Sequence, residues 1–300
     1  MSPSGDRPPT APPPTMMRGR AFVWGTRTFV MGIVNTTPDS FSGDGLLRRE
    51  GDPVEAAVAQ ARAMVADGAN LLDVGGESTR PGHQPVDATE ERARVVPVIA
   101  AIRAALPDVP ISVDTTKPEV ATAALDAGAD LINDVWGVAP DNGQIRLAAQ
   151  RAVPIVLMHN RAEAMYTDLI QEVIDDLRAA IDRAVEAGIP RDSIVVDPGF
   201  GFGKTPEHNL TLLRHLDAFH VMDRPILLGT SRKSTLGRVL DLPPEERLEA
   251  TIATTALAAA AGVDIVRVHD VRPNARAARL VDAIWRPAPS AGTGNWGGGT

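Results

Sequence analysis

The chain has 300 residues, of which 44% are hydrophobic, and a formal net charge of −8. This acidity argues against nucleic acid or an anionic membrane surface as the main partner, and the absence of cysteine excludes disulfides, thiolate metal sites and a cysteine nucleophile. No apolar run approaches the roughly 20 residues that span a bilayer, and the N-terminus lacks the apolar segment of a secretory signal, so the composition predicts a soluble cytoplasmic protein without a membrane partner.

The two ends of the chain differ in composition from its centre. Residues 1–20 contain six prolines and few large apolar residues, which predicts disorder because little surface is available to offset the entropy of ordering. Residues 287–300 contain five glycines and predict a flexible tail for the same reason. One folded domain is therefore expected at residues 21–286, and removal of residues 1–20 is expected to leave stability and turnover nearly unchanged.

Short apolar runs recur through the central segment. In chain order they are the run ending at Val34, then residues 71–74, 111–113, 131–132, 155–158, 194–196, 226–228 and 265–268. Continuous apolar runs of this length are typical of parallel strands that are buried on both faces. Ahead of them, residues 21–24 and 28–34 flank a Gly25-Thr26-Arg27 turn and predict a hairpin.

Helix signals separate most of these runs. Asp52-Pro53 supplies an N-cap and a first-turn proline, and residues 87–90 have the pattern of a capping box. Glycines suited to close helices stand at Gly68, Gly128, Gly188 and Gly262. Eight strands alternating with helices predict a (β/α)8 TIM barrel. A doubly wound open sheet is the less favoured alternative, since the chain lacks a dinucleotide fingerprint.

Polar residues end the apolar runs, and in such barrels the chemistry lies at the carboxyl ends of the strands. The polar residues at these ends include Asn35, Asp73, Asp114, Asn133, His159, Asp197, Lys233, Arg267 and His269. One such residue is unremarkable, because chains become polar where strands end. Eight such strand ends converging on one mouth indicate a binding site, because partly buried charges are costly unless they are paired or used.

The residue types indicate the ligand. Asp114, Asn133 and Asp197 suit a planar heterocycle with an amidine-like donor edge, because a carboxylate accepts two parallel N–H bonds. Lys233, Arg267 and His269 are suited to phosphate or pyrophosphate oxygens, or to a carbonyl. The amide oxygen of Asn35 suits a hard cation such as Mg²⁺. These types together predict displacement at a carbon atom that carries a pyrophosphate.

The most distinctive loop follows the run at residues 194–196 and reads DPGFGFGKT over residues 197–205. Its end imitates a nucleotide-binding P-loop, but Pro198 stands where that loop needs a glycine. The remaining histidines, such as His208 and His215, show no paired zinc spacing. The loop is therefore assigned to the strand-end site.

These motifs, taken together and in order, resemble the dihydropteroate synthases of the folate pathway. The matching segments are residues 31–42, 73–82, 111–115, 133–134, 158–159, 197–205, 231–234 and 267–271. The resemblance covers about residues 28–285. It implies a (β/α)8 barrel, a homodimer, and condensation of 6-hydroxymethyl-7,8-dihydropterin diphosphate with 4-aminobenzoate in the presence of Mg²⁺.

The resemblance also implies roles for individual residues. The pterin is expected to be held by Asp114, Asn133, Asp197 and Lys233. The diphosphate is expected to be held by Asn35, Thr79, Arg267 and His269, with Asn35 also binding the metal. The catalytic set is expected to be Asp39, Arg80, Lys233, Arg267 and His269. The aminobenzoate pocket, where sulfonamides would compete, is expected to involve Phe202, Ser234, Pro81 and Lys233.

Two alternatives share the barrel and the pterin-reading residues. A methyltransferase acting between methyltetrahydrofolate and a corrinoid protein has no need of residues 36–42 or of the motif at residues 231–234, and both are present. A paralogue that binds the pterin without turnover could have changed at Asn35, Asp39, Arg80 or Lys233, and all four are intact. Both alternatives are therefore less favoured than the synthase.

Overall fold

The computed structural model describes residues 11–36, 52–77 and 86–286. Its main sheet has eight parallel strands in the order β8-β7-β6-β5-β4-β3-β10-β9. The strands are β3 (Phe29–Asn35), β4 (Leu71–Gly75), β5 (Ile111–Asp114), β6 (Leu131–Asp134), β7 (Ile155–Met158), β8 (Ile194–Asp197), β9 (Leu227–Leu228) and β10 (Ile265–Val268). A parallel bridge between Val196 of β8 and Ile226, the residue before β9, closes the sheet into a barrel, which confirms the predicted fold.

Helices follow the strands and cover the outside of the barrel. Within the described ranges they are α1 (Pro53–Ala66), α2 (Ala88–Ala105), α3 (Pro118–Asp126), α4 (Gly143–Arg151), α5 (Leu169–Glu186), α6 (Pro206–Arg214), α7 (Ser234–Leu240), α8 (Leu248–Ala260) and α9 (Val271–Trp285). Asp52 and Asp87 cap α1 and α2 through their side chains, as the sequence predicts. None of the helices that the structure describes has the length and apolar character needed to cross a membrane.

Alternation along the strands sorts their side chains into two cores. Leu71, Leu131, Val195 and Ile265 belong to a small cluster inside the barrel, whereas their neighbours, such as Leu72 and Val196, pack outward into the larger core under the helices. Successive strand residues point to opposite faces. On each strand, the residue two positions after the member of the inner cluster therefore also points inward. It lies one layer closer to the carboxyl end of the strand.

The predicted disorder of residues 1–20 is wrong at its C-terminal part. Strand β1 (Thr15–Met17) pairs with β2 (Arg20–Phe22) in an antiparallel hairpin. Met17 and Phe22 are buried and belong to the inner cluster of the barrel, together with Trp24. The hairpin expected around Gly25 is thus formed instead across Arg18 and Gly19. Three short strand residues after a proline-rich run carry too weak a pattern to reveal this, and residues 1–10 and 287–300 lie outside the described residues.

Trp24 is the largest side chain that seals this end of the barrel. It is 1% exposed, contacts the rings of Phe22 and Phe29, and donates a 3.0 Å hydrogen bond from Nε1 to Thr15 Oγ1. Replacing Trp24 by alanine is expected to lower the free energy of unfolding by about 3–5 kcal/mol, measured by chemical denaturation. Trp136, which is 41% exposed, is the matched control and should lose far less; equal losses would contradict the sealing role. Removal of residues 1–20 would delete β1 and the buried Met17. This truncation should therefore lower the free energy of unfolding, contrary to the expectation from the sequence.

Candidate functional site

Four inward-pointing side chains form one network above the inner cluster. Arg267 on β10 places Nε 2.6 Å from Asp73 Oδ2 and Nη2 2.6 Å from Asp114 Oδ2. Asn133 on β6 donates from Nδ2 to the same Asp73 oxygen at 3.1 Å. Of these four, Asp73 was noted in the sequence as a strand-end residue but given no role. It stands two residues after Leu71, and this spacing is the signal that identifies it.

The network leaves carboxylate oxygens without partners. Asp73 Oδ1 and Asp114 Oδ1 are buried and accept no hydrogen bond from any residue that the structure describes. A buried acceptor in this state is costly unless a donor arrives. Burial raises the pKa of the Asp114 carboxyl to about 7, against the opposing attraction of Arg267. The site is therefore prepared for a ligand that brings N–H donors.

Asp197 and Lys233 extend the network along the next strands. Asp197 ends β8, is buried, and accepts a 2.7 Å hydrogen bond at Oδ1 from the backbone N–H of Gly199. Burial raises its pKa, and the attraction of Lys233 opposes this rise. Burial likewise lowers the pKa of Lys233 to about 7, opposed by Asp197. Asp197 and Lys233 therefore give the site one hydrogen-bond acceptor and one donor, and burial shifts the pKa of each toward its neutral form.

The glycine-rich loop wraps around the Lys233 side chain. Its Nζ donates to the carbonyl oxygen of Phe200 and lies 4.4 Å from the centre of the Phe202 ring, a cation–π distance. A half-exposed aromatic ring beside a buried ammonium forms an apolar wall with one polar corner. Ser234, the first residue of α7, is exposed next to Lys233, so the predicted aminobenzoate residues that can be described lie on one side of the mouth.

Asn35 and His269 meet at another part of the mouth. Asn35 Nδ2 lies 3.5 Å from His269 Nε2. On the other side of the ring, Nδ1 is 2.9 Å from Ser231 Oγ, which also accepts the backbone N–H of His269 at 3.1 Å. Ser231 thus orients the imidazole, a role that the sequence had not assigned to it. The predicted diphosphate residues Asn35 and His269 are brought together.

Some strand-end residues point away from the mouth. Asp134 accepts hydrogen bonds from Trp136 N at 3.0 Å and Asn142 Nδ2 at 2.6 Å and so shapes the loop before α4. His159 is fully buried behind β7. Both follow an inward-facing residue directly, so alternation turns them outward. Asp39, Thr79, Arg80 and Pro81 lie outside the described residues, and their predicted roles stay predictions.

Lys204, for which the sequence had named no role, is held on the outer side of the glycine-rich loop. Its Nζ lies 3.1 Å from the Gly199 carbonyl oxygen, 3.2 Å from that of Phe202 and 2.9 Å from His159 Nδ1. Because the Asp176 carboxylate can only accept, His159 directs Nε2–H toward Asp176 Oδ2 at 3.2 Å, and its Nδ1 accepts from Lys204. Burial, followed by the charge of Lys204, lowers the pKa of His159 to about 3. Lys204 therefore ties both ends of the Gly199–Phe202 turn to β7.

Lys204 should leave a signature in the pH dependence of stability. Burial lowers its pKa from 10.5 to about 7, so between these values the unfolded chain binds the proton and the folded chain does not. The free energy of unfolding then rises from pH 7 to pH 10 and falls as the pH is lowered through this range. In Lys204→Met this rise should be smaller, with the Lys233 contribution remaining, as measured by urea denaturation at pH 7 and 9.5.

The control for this experiment is Lys117→Met. Lys117 pairs with Glu77 and with Glu91, the latter at 2.6 Å. Burial lowers the pKa of Lys117, but these carboxylates outweigh burial and raise it above its usual value, the opposite direction to Lys204. Lys117→Met should be less stable than the wild type, but its free energy of unfolding should rise between pH 7 and 9.5 as it does in the wild type. An unchanged slope in Lys204→Met would show that Lys204 is not the buried titrating group.

The described residues contain no cluster of three or more histidine or acidic side chains able to hold a metal by themselves. Asn35 directs its amide nitrogen toward His269, which leaves its oxygen for another partner. Mg²⁺ usually keeps several waters and binds through one or two protein oxygens together with substrate phosphates. The donor set fits Mg²⁺ only as an ion that arrives with a phosphorylated ligand.

The closed (β/α)8 barrel carries carboxylates, an amide and an arginine at one mouth, an arrangement typical of barrel enzymes and suited to a small polar heterocycle. The model of the pterin binding enzyme family matches residues 31–269. A dihydropteroate synthase of Bacillus subtilis is 50% identical over 258 residues, which cover 86% of this chain and 89% of the relative. The chain belongs to the dihydropteroate synthase family of pterin-binding enzymes, which are transferases.

Solved structures agree with this assignment. A Clostridium difficile dihydropteroate synthase, determined in the presence of pteroic acid, has 46% identity and a TM-score of 0.83 and covers 88% of this chain and 99% of that chain. A Xanthomonas albilineans dihydropteroate synthase, determined with 4-aminobenzoic acid, has 42% identity and a TM-score of 0.84 and covers 91% and 98%. The predicted family and fold are confirmed.

Proposed function

We propose that the protein condenses 6-hydroxymethyl-7,8-dihydropterin diphosphate with 4-aminobenzoate to give 7,8-dihydropteroate and diphosphate. The observation that carries the proposal is the network of Asp73, Asp114, Asn133 and Arg267, with two buried carboxylate oxygens that lack donors. A pterin presents an amino group and ring N–H groups in one plane. These donors complement the acceptors at the mouth.

The pterin is held by Asp114, Asn133, Asp197 and Lys233. The free Oδ1 atom of Asp114 and the Asp197 carboxylate accept N–H bonds, and Asn133 supplies an amide that can donate and accept. Lys233 donates to the opposite edge of the ring. Asp197 and Lys233 each oppose the effect of burial on the other's pKa, and hydrogen bonds to the ring are strongest when these groups are charged.

The reaction breaks the C–O bond between the pterin methylene and the diphosphate, and the electron pair leaves with the diphosphate. The aromatic amine then donates its lone pair to the methylene carbon and loses a proton to solvent. No strong base is required, because an arylamine is nucleophilic at neutral pH. The pterin ring delocalises the intermediate positive charge, and Asp39 is proposed to stabilise it.

Charge on the leaving diphosphate is stabilised by Arg267, His269 and Asn35, with Thr79 and Arg80 contributed by the loop after β4. Arg267 keeps its charge beside Asp73 and Asp114, which outweigh burial and raise its pKa. Mg²⁺, when bound with the diphosphate and Asn35, supplies further neutralisation of the phosphate oxygens. Pre-positioned charges of this kind lower the barrier because they need no reorganisation during the reaction.

The aromatic amine is proposed to bind against Phe202, Pro81 and Ser234, with Lys233 at the polar corner. The ring of Phe202 and the ammonium of Lys233 offer stacking and a charge partner for a benzoate. Sulfonamides resemble 4-aminobenzoate in shape and would compete for the same wall.

A homodimer is supported by exposed apolar side chains on α8 and α9, among them Leu257, Leu280 and Ile284. The cytoplasmic localisation stays a prediction.

Diphosphate release from the pterin diphosphate, measured with Mg²⁺ and with or without 4-aminobenzoate, tests the proposed function. The expected result is amine-dependent release with dihydropteroate identified by mass. Tight pterin binding without release would instead favour the paralogue that binds without turnover. Methyl transfer from methyltetrahydrofolate to a corrinoid, with no condensation, would favour the methyltransferase alternative.

A further inference from the structure

A second basic cavity lies on the outer surface of the barrel, between the end of α1 and the helix α9. It has a volume of about 620 Å³, within the range of small-molecule sites. We define the arginine groove by the lining residues Arg27, Arg272, Arg276, Arg279, Asn70 and Asp67. None of these residues takes part in the strand-end network, so the groove is separate from the proposed active site.

The four arginines of the groove concentrate positive charge at this surface. Among the residues that the structure describes, none of the four forms an ion pair, and Arg27 only stacks its guanidinium 4.5 Å from the centre of the Phe29 ring. The nearby Asp282 is already engaged, with hydrogen bonds from Thr28 N at 2.7 Å and Thr28 Oγ1 at 2.9 Å and an ion pair to Arg286 at 3.2 Å.

Two carboxylates line the groove, Asp67 and the already engaged Asp282, so its four guanidinium groups outnumber them. Asp67 is exposed and ends α1 through its backbone. In a chain whose net charge is −8, this concentration of positive charge runs against the average composition. Concave surfaces lined by one sign of charge attract small ions of the opposite sign.

The spacing of the arginines selects an extended anion. Arg272, Arg276 and Arg279 lie four and three residues apart on one face of α9. A rise of about 1.5 Å per residue spreads them over roughly 10 Å along the helix, farther than one phosphate group reaches. Arginine forks bind phosphate oxygens in pairs. Asn70, whose Oδ1 accepts the Val30 N–H at 2.9 Å, lines the same groove.

We propose that the arginine groove is a binding site for a small linear oligophosphate, of at least three phosphate groups, distinct from the diphosphate position of the active site. The ligand is inorganic or the phosphate chain of a nucleoside triphosphate; both present the same charges to the groove. A long nucleic acid is disfavoured, because the negative charge of the remaining surface repels it.

Calorimetric titration with inorganic triphosphate at low ionic strength tests this proposal. The wild-type protein should show binding at the groove that weakens as salt is added. In the double variant Arg276→Glu with Arg279→Glu, this binding should be at least tenfold weaker while turnover is unchanged. The matched control, Arg92→Glu with Arg214→Glu, alters the net charge equally at exposed arginines on α2 and α6 and should titrate like the wild type.

Parallel titrations with ATP and GTP distinguish the two sources of the ligand. Equal affinity for triphosphate and nucleotide would identify the phosphate chain as the whole ligand, whereas tighter nucleotide binding would add the base. Any triphosphate that binds at the active site still binds in the groove variant. Failure of the proposed function would therefore leave the difference between wild type and groove variant intact. Identical titrations of groove variant and control, with identical melting temperatures, would overturn the proposal.

Discussion

Replacing Arg267 by methionine will lower the free energy of unfolding by about 3–5 kcal/mol at pH 8 and abolish turnover. The substitution leaves Asp73, which is fully buried, and Asp114, which is 7% exposed, without their shared cation. Removing one partner of a buried ion pair costs this much because the remaining charge stays desolvated. The loss should shrink toward pH 5, since burial already raises the pKa of Asp114 to about 7 and the acid form needs no cation.

The control for this experiment is Arg146→Met, which breaks an exposed pair with Asp141 at 2.7 Å. Such surface pairs contribute about 0–1 kcal/mol. Urea denaturation of both variants at pH 5 and pH 8 gives the comparison. A loss in Arg267→Met that is as small as the control, or that grows toward low pH, would show that the arginine does not hold the carboxylate network together.

Replacing Gly199 by alanine will destabilise the protein by about 2–5 kcal/mol. The residue has a φ of +73°, and a Cβ atom would stand 1.8 Å from the carbonyl oxygen of His159. A left-handed non-glycine residue costs about 1–2 kcal/mol, and forcing a backbone apart costs a further amount of about 1–3 kcal/mol. Because Gly199 N also donates to Asp197, pterin affinity should fall together with stability.

Gly188→Ala separates these two contributions. Gly188 also has a positive φ, +102°, but apart from its neighbours in the chain no atom of the described residues lies within 4 Å of the position its Cβ would take. The free energy of unfolding of this control should fall only by the cost of the left-handed conformation. Its pterin affinity should equal that of the wild type. Equal losses in both variants would mean that the strand β8 loop moves away from β7 without penalty, contrary to a rigid site.

Alternation within the strands explains which part of the site could be predicted from the sequence. Asp73, Asn133, Asp197 and Arg267 each stand two residues after a member of the inner apolar cluster. Eight apolar runs predicted the strands, and the carboxyl ends of parallel strands meet by topology. The convergence of Asp114, Asn133, Asp197, Lys233, Arg267, Asn35 and His269 on one mouth followed from these two facts.

The remaining features depend on contacts between distant parts of the chain. Met17 joins the inner cluster only because the hairpin crosses the open end of the barrel, and no local pattern in a proline-rich segment predicts that. Lys204 lies 45 positions from His159 in the sequence, and its partners are mainly backbone carbonyl groups. Residue types alone do not indicate such partners. The inward position of Asp73 was available from its spacing, however, and required only that the strand period be applied.

The central claim is that the strand-end carboxylates hold the pterin, and calorimetry of pterin binding to Asp197→Asn tests it most directly. The asparagine can keep the hydrogen bond to Gly199 N but cannot offer two equivalent charged acceptors. The account predicts an affinity weaker by about 1.5–3 kcal/mol, with Asp134→Asn, whose side chain faces the α4 loop, unchanged. An Asp197→Asn affinity equal to that of the wild type would contradict the assignment of the site.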